Sequence, residues 1–179
     1  MFTRPVLVGL VAASVLLGAG CTSDKPKSTP TSAPTPSATP SLGPSAAAER
    51  DALIAYRGMW SAFVEAAKTS DPEAPDLNKY ATGNALRLIS SALYTNRSQD
   101  VVTLGELKID PKVTALKPSD APTEASVLDC VNDEKWLEHK KSGGLVNDKP
   151  GGKHRTTATV TLTADGWKVS RFVIGDESC

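Results

Sequence analysis

Apolar and polar positions divide the chain into stretches of clearly different texture. An apolar run extends from Val6 to Leu17, interrupted only by Gly9 and Ser14. Residues 22–45 are almost all Ser, Thr, Pro and Ala, with Leu42 the only large apolar side chain. Beyond that, Ala52, Tyr56, Met59, Trp60, Phe63 and Ala67 recur at helical spacing, which predicts a helix over 46–68. Ser45 is the expected N-cap, with Glu49 and Asp51 near the positive end of the dipole. Asp71-Pro72 and Ala74-Pro75 end that helix. Asp76 opens a short helical turn holding Leu77 and Tyr80, and a second long helix follows over 84–97, with Ala85, Leu86, Ile89 and Leu93 on one face.

After Asp100 the period shortens to that of strands. Strands are expected at 101–109, with Gly105 as a bulge or bend, and at 112–116 after Asp110-Pro111. Residues 125–131 form a further strand. Asn132-Asp133 is expected to turn the chain, so that 135–141 pairs back. The Gly-rich stretch 142–153 reads as a long exposed hairpin tip. Residues 155–163 alternate Ala158, Val160 and Leu162 with threonines, Ala164-Asp165-Gly166 makes a tight turn, and 167–174 is the last strand. Helices first and a strand meander second predict an α+β domain, with the helices on one face of a curved antiparallel sheet.

Charge adds little. Lysines and arginines balance aspartates and glutamates at 20 each, and no basic stripe points to nucleic acid. The amino terminus is more informative. Arg4, the apolar run and the small residues Gly18-Ala19-Gly20 before Cys21 have the parts of an export signal. The run is too short for a permanent span, which needs ~20 residues. Leu17 to Cys21 resembles a bacterial lipobox, although Gly18 stands where the commonest lipoboxes carry Leu. The resemblance implies cleavage before Cys21 and a diacyl anchor on its thiol, which two chains make stable. The alternative is an ordinary secreted protein cut near Ala19 or Gly20. The expected organisation is a signal over 1–20, a disordered Ser/Thr/Pro-rich tether over 21–45 and a folded domain over 46–179. Extended, the tether reaches ~75 Å.

With Cys21 assigned to lipid, Cys130 and Cys179 remain. An oxidising compartment favours a bridge between them, the alternative being two separate buried thiols.

The order of elements resembles the NTF2-like (SnoaL-like, cystatin-like cone) superfamily, and more narrowly small secreted lipoproteins of actinobacterial type with that fold. The residues carrying the resemblance are Tyr56 with Met59-Trp60, Tyr80-Ala81-Thr82-Gly83, Gly105, Asp110-Pro111-Lys112-Val113, Asp129 to Asp133, Gly166-Trp167-Lys168-Val169 and Cys179. It implies a cone with a pocket between helices and sheet. It does not imply one activity, because such folds host enzymes and pure interaction modules alike.

An enzyme of this kind uses an inward acid/base pair. Asp129, His139 and Arg171 are the candidates: strand alternation puts Asp129 with Ala125, Val127 and Val131, and Arg171 with Trp167, Val169 and Val173. Against this, His139 lies in a Glu-His-Lys-Lys run of solvated character, and His154 borders the Gly-rich tip. Tyr56, Trp60, Phe63, Tyr80 and Trp167 are candidates to line an apolar pocket or simply to fill the core, and Trp136 is a candidate contact residue. No metal-ligand spacing, nucleophile motif or nucleotide loop occurs, so no cofactor is expected. The sequence leads to a lipid-anchored, extracytoplasmic binding or accessory module for a small apolar ligand or an envelope protein. A SnoaL-like acid/base enzyme and a structural spacer are the alternatives.

Overall fold

The structure, a computed structural model, describes residues 43–179. The expected signal, Cys21 and most of the expected tether lie outside the described residues.

Helix α1 (Pro44–Ala67) is followed by α2 (Pro75–Tyr80) and α3 (Gly83–Ser98), then β1 (Val101–Lys108), β2 (Lys112–Lys117), β3 (Glu124–Lys140), β4 (Lys153–Thr163) and β5 (Gly166–Ile174). The first helix starts two residues before the expected boundary, with Gly43 as N-cap and Pro44 in the first turn. Proline's fixed φ and missing N–H suit that position. Ser45 is therefore not the cap, and its hydroxyl donates to the Ser119 carbonyl at 3.1 Å. One face of α1 buries Ala52, Tyr56, Met59 and Trp60 against the sheet. The Tyr80 ring lies on α1 at Gly58, where an added Cβ would come within 2.5 Å of it.

The helices pack on one face of a curved antiparallel sheet, the α+β arrangement expected. Strand order is β1-β3-β4-β5, with β2 also paired to β3. The strand β3 is the frame of this sheet. It is one continuous strand of 17 residues, so the turn expected at Asn132-Asp133 does not exist. Along one edge β3 pairs first with β2 (Glu124 to Leu128) and then with β1 (Asn132 to Lys140). Along the other edge its first half pairs with β4.

The Asn132-Asp133 signal marks a register shift instead. Between the pairs Glu106↔Lys135 and Lys108↔Asn132, β3 carries one residue more than β1. Such a bulge reverses which face the following side chains take. Before it the buried residues are Ala125, Val127, Asp129 and Val131. After it Trp136 is the side chain that meets Phe63 of α1. Gly105, at φ +109°, is paired with Trp136, and a Cβ there would collide with the Lys135 carbonyl.

A second shift lies in β5. Val160 faces Val169 but Ala158 faces Phe172, so β5 has an extra residue around Ser170. The inward face passes from Val169 to Phe172, and Arg171 and Val173 are exposed.

Cys130 and Cys179 are bridged, with Cα atoms 5.9 Å apart and a sequence separation of 49. A bridge of this kind belongs to an oxidising, extracytoplasmic environment. The tail before it lies against β4: Gly175 N–H donates to Arg155 O at 2.8 Å, and Arg155 N–H to Glu177 O at 2.9 Å. Closing a loop of this length contributes ~4 kcal/mol in the chain-entropy model. Replacing Cys130 and Cys179 together by Ser should lower the stability measured by urea unfolding by about 2–5 kcal/mol. An unchanged unfolding midpoint would refute a structural role for the bridge.

Candidate functional site

Two places on the inner face of β3 hold chemistry, one on each side of its bulge. The first is Asp129, a buried carboxylate with 3% of its surface exposed. It sits where the edge of β3 changes partner from β2 to β1. The backbone N–H of Asp110, in the connection between those strands, is left without a ladder partner there and donates to Asp129 Oδ1 at 2.7 Å. From α1 below, the Tyr56 hydroxyl donates to Asp129 Oδ2 at 2.9 Å. Across the sheet the pairing residue is Thr156, itself buried.

Burial pushes the Asp129 carboxyl above its ordinary value, and the hydrogen bonds from Asp110, Tyr56 and the Cys130 backbone oppose that shift. Burial, reinforced by the negative charge of Asp129, holds the Tyr56 phenol far above its ordinary range. Both carboxylate oxygens are thus engaged. Asp129 also borders an open hollow of about 210 Å³ beside the disulfide, edged by Lys112 and Arg155.

The other two acid/base candidates are not brought to Asp129. His139 is half-buried near the far end of β3, roughly 30 Å away at the usual strand rise. Arg171 is exposed because the β5 bulge turns it outward, and it borders a shallow hollow with Thr114, Leu128 and Val173 on the other face of the sheet. Arg171, a candidate to share the inner face with Asp129, is therefore corrected to the outer face. Plain alternation through β5 would have produced it, and the extra residue prevents it.

The second place is a cleft of about 320 Å³ beyond the bulge, walled by α1, α3, β1, β3 and the 147–151 loop. Its floor is aromatic: the Phe63 and Trp136 rings meet edge to face, with centroids 5.1 Å apart and planes at 81°. The indole N–H of Trp136 is cut off from solvent and has no hydrogen-bond partner among the described residues, as is also true of Trp60. A buried donor left unpaired costs about 1–3 kcal/mol. On the β1 side Thr103 Oγ1 accepts a hydrogen bond from Asn96 Nδ2 of α3 at 3.3 Å. Glu138 is the residue directly opposite Thr103 in the register. On the loop side Asp133 Oδ1 accepts from Gly152 N–H at 2.6 Å and lies 3.4 Å from His154 Nε2. Asp133 N–H donates to Gly152 O at 3.0 Å, so the loop's end is pinned to the bulge.

Of the pocket-lining candidates, only Phe63 reaches this cleft. Tyr56 and Trp60 are core residues, Tyr80 packs on α1, and Trp167 is half-buried against the core. Trp136, the candidate contact residue, lines this cleft. Thr103, Glu138 and Asn96 carried no signal, because their convergence depends on the bulge in β3. Among the described residues no group of His, Cys, Asp and Glu could hold a metal ion, and no helix is long and apolar enough to cross a membrane.

Neither a protein-family model nor a curated protein matches this sequence. Several solved structures are similar in chain path. A candidate aromatic ring hydroxylase from Novosphingobium aromaticivorans has TM-score 0.46 and 17% identity, over 70% of this chain and 88% of its own. Two proteins of cystatin-like fold from Nostoc punctiforme, both of unknown function, have TM-scores of 0.43 and 0.41 and identities of 9% and 8%. Those alignments cover 72% and 69% of this chain and 78% and 89% of theirs. At such values the likenesses carry nothing about function.

Asp129→Ala leaves the buried Tyr56 hydroxyl unpaired and removes the acceptor of the Asp110 N–H, and should cost about 2–5 kcal/mol in urea unfolding. Asp129→Asn retains an acceptor and should cost less. The pH dependence has a definite sign. Because burial raises the folded value above the unfolded one, the unfolded chain releases this proton first as pH rises. The contribution of Asp129 is greatest below the ordinary Asp range and falls as pH climbs through the raised value. The stability of the wild type relative to Asp129→Asn should therefore improve from about pH 7 to about pH 4. A difference that worsens on acidification would mean that the carboxylate is stabilised as an anion.

Proposed function

We propose that this protein is a binding module held outside the membrane by lipid on Cys21, taking a small ligand in the cleft over Phe63 and Trp136. The observation that carries the binding reading is that cleft, with an aromatic floor and a rim of polar side chains. Its volume of about 320 Å³ is at the small end of ligand pockets. The location reading is supported by the lipobox-like run ending at Cys21 and by the Cys130–Cys179 bridge. Acid/base catalysis is the weaker reading, because among the described residues Tyr56 is the one side-chain partner of Asp129 and both its oxygens are engaged.

Two measurements test this. Mass spectrometry of the membrane fraction should find a diacyl adduct on Cys21, and Cys21→Ser should release the protein into the medium; a wild type with an unmodified thiol refutes the anchor. In a fragment screen on the released protein, hits should move the Trp136 indole N–H signal in NMR. Hits confined to other surfaces refute the cleft.

A further inference from the structure

The geometry points to a small zwitterion with a flat apolar side chain as the ligand of the cleft, an inference that rests on the binding reading above. Three observations bear on the ligand's chemistry. First, the floor is apolar and aromatic, built on the edge-to-face pair of Phe63 and Trp136, which suits an apolar ring. Second, Glu138 places a negative charge on the same wall. It lies opposite Thr103, and Thr103 is bonded to Asn96 of α3, so that face of the strand pair is the one turned to the helices. Trp136 lies two residues before Glu138 on the same strand and shares its face. The Glu138 carboxylate has no ion pair or side-chain hydrogen bond among the described residues. An ammonium group placed there meets the carboxylate.

Third, the loop wall supplies the opposite charge. Lys149 lines the cleft and likewise has no ion pair among the described residues, whereas Asp133 on that wall is already engaged by Gly152 and His154. A carboxylate fits Lys149, and an ammonium fits Glu138. Apolar floor, cation acceptor and anion acceptor together match an amino acid with an aromatic side chain.

The test uses the full-length protein released by Cys21→Ser and reads the Trp136 indole N–H, assigned by its loss in Trp136→Phe. The probes are phenylalanine, phenethylamine and 3-phenylpropionate, which carry both charges, the cation only and the anion only. Phenylalanine should bind at least about tenfold more tightly than either half, since one good charge contact is worth that factor. Glu138→Gln should bring phenylalanine down to the affinity of 3-phenylpropionate, and Lys149→Gln down to that of phenethylamine. If phenylalanine binds no better than the halves, the zwitterion is overturned while the cleft stands as a binding site. If none of the three moves the Trp136 signal but screened fragments do, this ligand class alone is overturned. If nothing moves it, the binding reading falls as well.

Discussion

The hydrogen bonds converging on Asp129 are the constraint on which the sheet depends. A strand as long as β3 has more edge than either β1 or β2 covers, so two short strands share it in tandem. Between them the chain must leave the sheet and return, and backbone groups lose their ladder partners there. A buried N–H without a partner is expensive. Asp129 answers this by accepting from Asp110 with one oxygen. Its other oxygen takes the Tyr56 hydroxyl and so ties α1 to the same point. One carboxylate joins the helical layer, the central strand and the edge break.

That role separates two halves of the inner surface. Around Asp129 the space is closed by Tyr56, Thr156 and the valines of β3 and β4. Beyond the bulge at Asp133, the same strand turns Trp136 and Glu138 towards the helices, and the layers leave a cleft instead of a core. The buried carboxylate serves packing, and the cleft is rimmed by polar side chains, of which Glu138 and Lys149 are exposed. On the proposed reading, the tether carries that cleft away from the membrane surface.

Much of this was legible in the residues. The periodicity of Tyr56, Met59, Trp60 and Phe63 showed α1 and its buried face, and the alternation around Val160 showed β4. The cysteine pairing followed once Cys21 was set aside. The site was less legible, for a specific reason. Alternation assigns faces only while the register is unbroken. One extra residue in β3 made a turn signal out of Asn132-Asp133, and one in β5 sent Arg171 to the wrong face. Bulges leave only weak marks in sequence, since any polar residue tolerates the unpaired position. Gly105 was such a mark, and it sits opposite Trp136 close to the β3 shift.

The central claim is that Asp129 and Tyr56 form a structural link and not a catalytic pair. A double-mutant cycle with Tyr56→Phe and Asp129→Ala, which removes the acceptor, followed by urea unfolding, measures it directly. The two substitutions should be coupled by about 1.5–3 kcal/mol, as for a hydrogen bond to a charged group. Additive losses, with no coupling, would contradict the account.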